Sequence, residues 1–79
     1  MMTKETIRDL IAARIDCTTI DVSGDDGAHF EATIVSPVFE GKSRVARHQL
    51  VYAALGEHMK EAIHALSFKT LTPTEAGRG

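Results

Sequence analysis

Histidine is the side chain best suited to metal ligation and to proton switching near neutral pH, and this 79-residue chain carries four. His29 opens a candidate strand directly after the turn Gly24-Asp25-Asp26-Gly27, and His64 opens another. Strand beginnings are partly exposed, and a small sheet can bring two of them together. Two imidazoles do not complete a zinc or iron site. Asp26 can add a third donor, and a second protein the remainder. The same two positions equally suit rim histidines satisfied locally, and spacing alone leaves both readings open. His48 and His58 fall on a candidate helix and its extension and read as surface residues. Cys17 follows Asp16 at the end of another candidate helix. A reactive thiolate wants cationic neighbours or a helix N-terminus, so Cys17 reads as structural. No serine or threonine stands in a nucleophile-elbow pattern, and no phosphate-cradling glycine loop carries a lysine. No catalytic residue is assigned, and the chain reads as a non-enzyme.

The elements that must position these side chains follow from periodicity and punctuation. Thr3 can cap a first helix over residues 3–16, with Ile7, Leu10, Ile11 and Ile15 on one stripe. Thr18 to Ser23 alternates and is rich in β-branched residues, so it reads as a short strand. The glycines and aspartates of 24–27 then turn the chain into a second strand from Phe30 to Val35. Pro37 ends that strand because it cannot donate to a ladder. Ser43 is a good N-cap for a second helix that sends Leu50, Val51, Ala54 and Leu55 inward. Gly56 interrupts this helix, a short helical piece follows over Glu57 to Ala62, and Ile63 to Leu71 reads as a third strand. Thr72-Pro73-Thr74-Glu75 matches a capping box with proline at the first helical position; it comes too near the end to start more than one turn, and residues 73–79 are expected as a loose C-terminal tail. The order α-β-β-α-α-β describes one α+β domain spanning residues 1–79, with helices covering one face of a three-stranded sheet.

Size and charge narrow the function. A chain of 8.6 kDa builds only one small core, which argues against a deep enzyme pocket. A single cysteine excludes an internal disulfide and a cysteine-only zinc site. No apolar run approaches the roughly 20 residues that span a bilayer, and no signal-like segment opens the chain. A cytoplasmic protein without membrane contact is the expectation. The formal charge of −2 hides an asymmetry. Residues 1–31 carry Lys4, Arg8 and Arg14 against seven carboxylates, while residues 40–60 carry Lys42, Arg44, Arg47 and Lys60 against only Glu40 and Glu57. With His48, these four cations form a candidate surface for nucleic acid or a protein partner, although two solvated faces of opposite sign explain the asymmetry as well. Gly24-Asp25-Asp26-Gly27 spells the GXXG of an RNA-clamping KH loop. It lies between strands rather than helices, and its carboxylates repel phosphate. DNA contact through the cations is left as a weak, salt-sensitive mode.

Several segments together resemble the BolA family. They are Gly24-Asp25-Asp26-Gly27-Ala28-His29-Phe30, Val35-Ser36-Pro37, Phe39-Glu40-Gly41-Lys42-Ser43, Arg47-His48-Gln49-Leu50-Val51-Tyr52 and the run from Ile63 to Pro73. The resemblance covers nearly the whole chain in order, and is strongest to small bacterial members of the acid-stress type. It implies a class II KH-like fold. It also implies a partner, a monothiol glutaredoxin of the CGFS type, with a [2Fe–2S] cluster bridging the two proteins and glutathione. The isolated protein, a monomer or weak homodimer, then holds no cofactor. Within the resemblance His64 takes the place of the C-terminal histidine ligand. A thiolate-bearing subgroup has its cysteine where this chain has Asp26, which leaves His29 as the loop imidazole and Asp26 as a poorer ligand. Mixed histidine and thiolate ligation implies a potential above that of all-cysteine clusters. The alternative role that the resemblance implies is a DNA-binding transcriptional regulator in stress response, reading DNA through the second helix and its basic residues. Relatives continue past the TPxE segment with a tryptophan and a longer helix, which this sequence lacks.

Overall fold

The computed structural model describes residues 2–24, 26 and 28–78. Helix α1 (Lys4–Arg14) begins where the Thr3 hydroxyl accepts the Thr6 N–H at 3.1 Å, satisfying one of the first-turn donors that a helix leaves without a partner. Its inward stripe is the expected one: Ile7 and Ile11 are fully buried one turn apart, and Ile15 follows them into the core. Strand β1 (Thr19–Ser23) pairs antiparallel with β2 (Phe30–Val35), from Thr19 opposite Val35 to Ser23 opposite Glu31. Asp25 and Gly27, in the turn expected between them, lie outside the described residues.

Beyond β2 the chain tightens into a 3₁₀ turn, Pro37–Phe39. Ser36 holds it: its hydroxyl donates to the Asp16 carbonyl at 2.7 Å and accepts the Val38 N–H at 3.1 Å. This buries Phe39 completely. Helix α2 (Arg44–Leu55) is capped by the Ser43 hydroxyl and ends at Gly56, whose φ of +57° favours glycine. A 3₁₀ turn (Gly56–His58) leads into α3 (Met59–Ala65), and β3 (Leu66–Leu71) then returns parallel to β2, from Phe30 beside Leu66 to Val35 beside Leu71.

The result is a mixed sheet of order β1-β2-β3 in an α+β fold with the expected α-β-β-α-α-β sequence of elements. Phe30, Ala32, Ile34 and Leu66 face the helices and join Ile7, Ile11, Val51, Ala54, Leu55 and Ala62 in one core. Asp21, Ser23, Glu31, Ser67 and Lys69 alternate onto the opposite, exposed face.

Two expectations need correction. The third strand does not begin at Ile63. Residues 63–65 are the last turn of α3, whose end is closed by the Leu66 N–H donating to the Ala62 carbonyl. His64 is therefore a helix-end residue and does not alternate with Leu66 and Phe68. The second correction concerns residues 73–77, which are not loose. Pro73–Gly77 forms a short helix, α4, started by a complete capping box in which Thr72 and Glu75 exchange hydrogen bonds at 3.1 and 2.8 Å.

Candidate metal centre

The parallel pairing of β2 with β3 sets the start of β2 beside the start of β3. His29 precedes β2 and His64 lies two residues before β3, so the register carries both to the same end of the sheet. There they line one surface cleft together with Ser23, Gly24, Ala65 and Ser67. Both histidines are exposed. Gly24 makes the close approach possible. Its φ is +149°, and a Cβ there would fall 2.5 Å from the His29 carbonyl oxygen and 2.8 Å from the Phe30 ring.

Asp26 organises the loop. Its Oδ1 accepts the backbone N–H groups of Ala28 at 2.9 Å and His29 at 2.8 Å, and its Oδ2 lies 3.2 Å from His29 Nδ1. The His29 and Ala28 amides, then the imidazole, hold the Asp26 carboxyl at about 2, well below its ordinary 3.8. The structure thus brings His29 and His64 to one cleft and sets Asp26 against His29 alone, with both of its oxygens already engaged within the loop.

The donor set fits a share of an iron–sulfur ligand shell. Imidazole nitrogen suits iron, and two histidines can replace two thiolates on one iron of a [2Fe–2S] cluster. Among the described residues no three His, Cys, Asp or Glu side chains gather to hold a metal ion. Cys17 is not near this role. It is half-buried against the core, and burial followed by the adjacent Asp16 pushes its thiol up from the ordinary value.

At the other end of the sheet Lys42, Arg44 and Arg47 line one cleft with Thr70, Leu71 and Glu75, and Lys60 is not part of it. Arg47, expected on a partner surface, leaves only 13% of its side chain exposed. Its Nε donates to the Lys42 carbonyl at 3.0 Å, and its Nη1 to the Thr70 carbonyl at 3.2 Å and to Glu75 Oε1 at 2.7 Å. The guanidinium also lies 5.9 Å from the centre of the Phe39 ring. Five donors in a rigid fork make arginine suited to such a latch. In return the Glu75 carboxyl is held at about 2, first by Arg47 and then by the Thr72 amide. Arg47 therefore fastens α4 to β3, with most of its side chain turned inward. Lys42, Arg44 and Lys60 are exposed. Lys60 follows the far end of α2, a helix length of about 18 Å at 1.5 Å per residue from Arg44.

His48, expected at the surface, is half-buried: it stacks at a tilt on Phe68, ring centres 4.4 Å apart, with Tyr52 edge-on to the same ring at 5.4 Å. Burial first, and Arg44 second, push its pKa down. Sequence reasoning missed this trio and the Arg47–Glu75 latch. The i, i+4 spacing of His48 and Tyr52 marks a shared helix face, but only the register of β3 shows that Phe68 lies under it.

Known proteins match this architecture closely. The profile of the BolA-like protein family matches residues 7–75. Protein BOLA2 of Arabidopsis thaliana is 47% identical over 72 residues, covering 87% of this chain and 76% of that protein. The acid stress protein IbaG of Escherichia coli K12 is 37% identical over 78 residues, covering 98% of this chain and 92% of IbaG. Among solved structures, a BolA homologue from Coxiella burnetii superposes with a TM-score of 0.78 at 44% identity, covering 99% of this chain and all of the other.

Proposed function

The chain belongs to the BolA-like protein family, and from that premise we propose that it is a non-enzymatic partner of a monothiol glutaredoxin, sharing a bridging [2Fe–2S] cluster in iron–sulfur trafficking or iron and stress regulation in the cytoplasm. One observation carries the reading: His29 and His64, far apart in sequence, line a single exposed cleft. His64 and His29 would supply the two nitrogen ligands, and the glutaredoxin with its glutathione the two thiolates. When bound, the cluster would supply a one-electron centre with a potential raised by its histidine ligands.

The chain's own contribution is presentation. The β2–β3 register fixes how far apart the two imidazoles stand, and Gly24 lets the loop fold back onto β2. The exposure of both rings leaves them open to a second protein. An incomplete, exposed ligand pair makes chemical sense only where another surface completes it and excludes water from it.

Co-elution tests this reading. Purified protein is mixed with a CGFS glutaredoxin, glutathione, iron and sulfide, and the products are separated by size. A coloured heterodimer carrying iron and sulfide is expected. Separate elution of the two proteins, with all the iron on the glutaredoxin, would refute it.

DNA binding through α2 is the second reading, favoured by the exposure of Lys42 and Arg44 at the start of that helix. With Arg47 latched internally and Lys60 distant, few phosphate contacts are left. The expected binding is sequence-blind and lost by about 0.2 M salt. Sequence-selective binding that survives that salt would promote the DNA role over the cluster role.

A further inference from the structure

We propose that Asp26 is a positioning residue for His29: its carboxylate accepts a hydrogen bond from Nδ1–H and leaves Nε2 as the donor atom offered to metal. The purpose of this arrangement rests on the cluster reading above, whereas the arrangement itself is a property of the isolated chain.

The argument starts from the carboxylate. Asp26 Oδ1 is fixed by two backbone donors, Ala28 N–H at 2.9 Å and His29 N–H at 2.8 Å. That fixes the second oxygen too, and Oδ2 stands 3.2 Å from His29 Nδ1. An ionised carboxylate only accepts, so the nitrogen facing it must carry the proton. A neutral imidazole has one donor and one acceptor nitrogen, and the acceptor is therefore Nε2. The side chain of His29 is 78% exposed. A pair this exposed adds little to stability, so its consequence is the choice of nitrogen. Metal-ligating histidines commonly donate their other ring N–H to a carboxylate, which sets both tautomer and ring direction. The loop also explains why Asp26 is the wrong residue to ligate metal itself: doing so would break the bonds that place His29.

Long-range ¹H–¹⁵N correlation of the imidazole nitrogens, on the isolated protein at a pH where the ring is neutral, reads the tautomer directly. Wild type should show His29 protonated at Nδ1. In Asp26→Asn the amide oxygen keeps both backbone bonds while the amide N–H₂ faces Nδ1, so the proton should move to Nε2. Asp26→Ala should give a mixture of the two forms. Amide spectra unchanged beyond the loop would show that each variant is folded. A wild-type His29 protonated at Nε2, or a tautomer indifferent to Asp26→Asn, overturns the proposal. In the cluster-bridged complex with a CGFS glutaredoxin, Asp26→Asn should weaken cluster retention roughly 10–100-fold, with binding of the cluster-free glutaredoxin unchanged. A shifted tautomer with undiminished retention overturns the positioning role while the cluster reading stands. If wild type forms no histidine-bound cluster, the cluster reading fails, and the tautomer still decides whether Asp26 directs the ring.

Discussion

At one end of the β2–β3 pair, His29 exposes 78% of its side chain and shares a cleft with His64. At the other end, Arg47 exposes 13% and directs its guanidinium to Lys42, Thr70 and Glu75. Both ends carry residues that can recognise a ligand. Among the described residues the contacts of His29 are loop-internal ones, which orient a ring without covering it. At the arginine end, a carboxylate from α4 occupies the place that an external anion would take. Availability is decided by what the fold has already paired, and residue type alone does not reveal it.

Breaking the histidine end should have the largest effect. Gly24→Ala puts a methyl group against the His29 carbonyl at a φ of +149°. A cost of about 1–3 kcal/mol is expected in denaturant melts, with cluster assembly impaired because the loop must shift. Unchanged stability and assembly would mean that the loop does not depend on this close approach.

Releasing the arginine end comes next. Arg47→Ala removes the cover over Phe39 and leaves the Thr70 carbonyl without that donor, a loss of about 1–2 kcal/mol. Limited proteolysis should then cut within α4. Cluster assembly should be unaffected, since the two ends are separate. If assembly fails while the fold persists, the separation of the two ends is wrong.

Acid separates the ends more gently. Glu75 titrates at about 2 in the folded chain against an ordinary 4.5. A depressed carboxyl pKa means that its stabilisation is complete above pH 4.5 and is lost as the pH falls toward 2. Thermal melts of wild type and Glu75→Gln should differ down to about pH 4.5 and converge toward pH 2. His48 acts earlier and in the same direction. Its lowered pKa favours the neutral ring in the folded state, so stability declines as the pH drops below its ordinary 6.5. His48→Phe should flatten that first decline.

The smallest effect should follow Cys17→Ala. The thiol is half-buried and belongs to neither end, so a change of about 1 kcal/mol or less and an unaltered cluster spectrum are expected. A lost cluster would reassign one ligand to Cys17.

The helices α1 and α2 and the strands β1 and β2 were legible in the sequence because periodicity and caps agree: Thr3 before Ile7 and Ile11, Ser43 before Val51 and Leu55, alternation from Phe30 to Ile34. The α3–β3 boundary was not. Ile63, His64 and Ala65 alternate in polarity as a strand would, yet Ala62 is fully buried and its carbonyl accepts from Leu66, which extends the helix through them. The three ligand candidates were legible as residue types, and the sharing of one cleft by His29 and His64 depends on the parallel β2–β3 register. Arg47 was misleading for a related reason. Its partners Thr70 and Glu75 are distant in sequence, so a local count of cations does not show that its guanidinium is already paired.

The cluster account stands most directly on His64. Visible circular dichroism of the heterodimer, reconstituted from either wild type or His64→Ala with CGFS glutaredoxin, glutathione, iron and sulfide, reads the ligand shell without assuming an activity. Wild type should give a bridged-cluster spectrum distinct from that of the glutaredoxin alone, and His64→Ala should lose it while amide spectra show an intact fold. A His64→Ala complex with the wild-type spectrum would contradict the account.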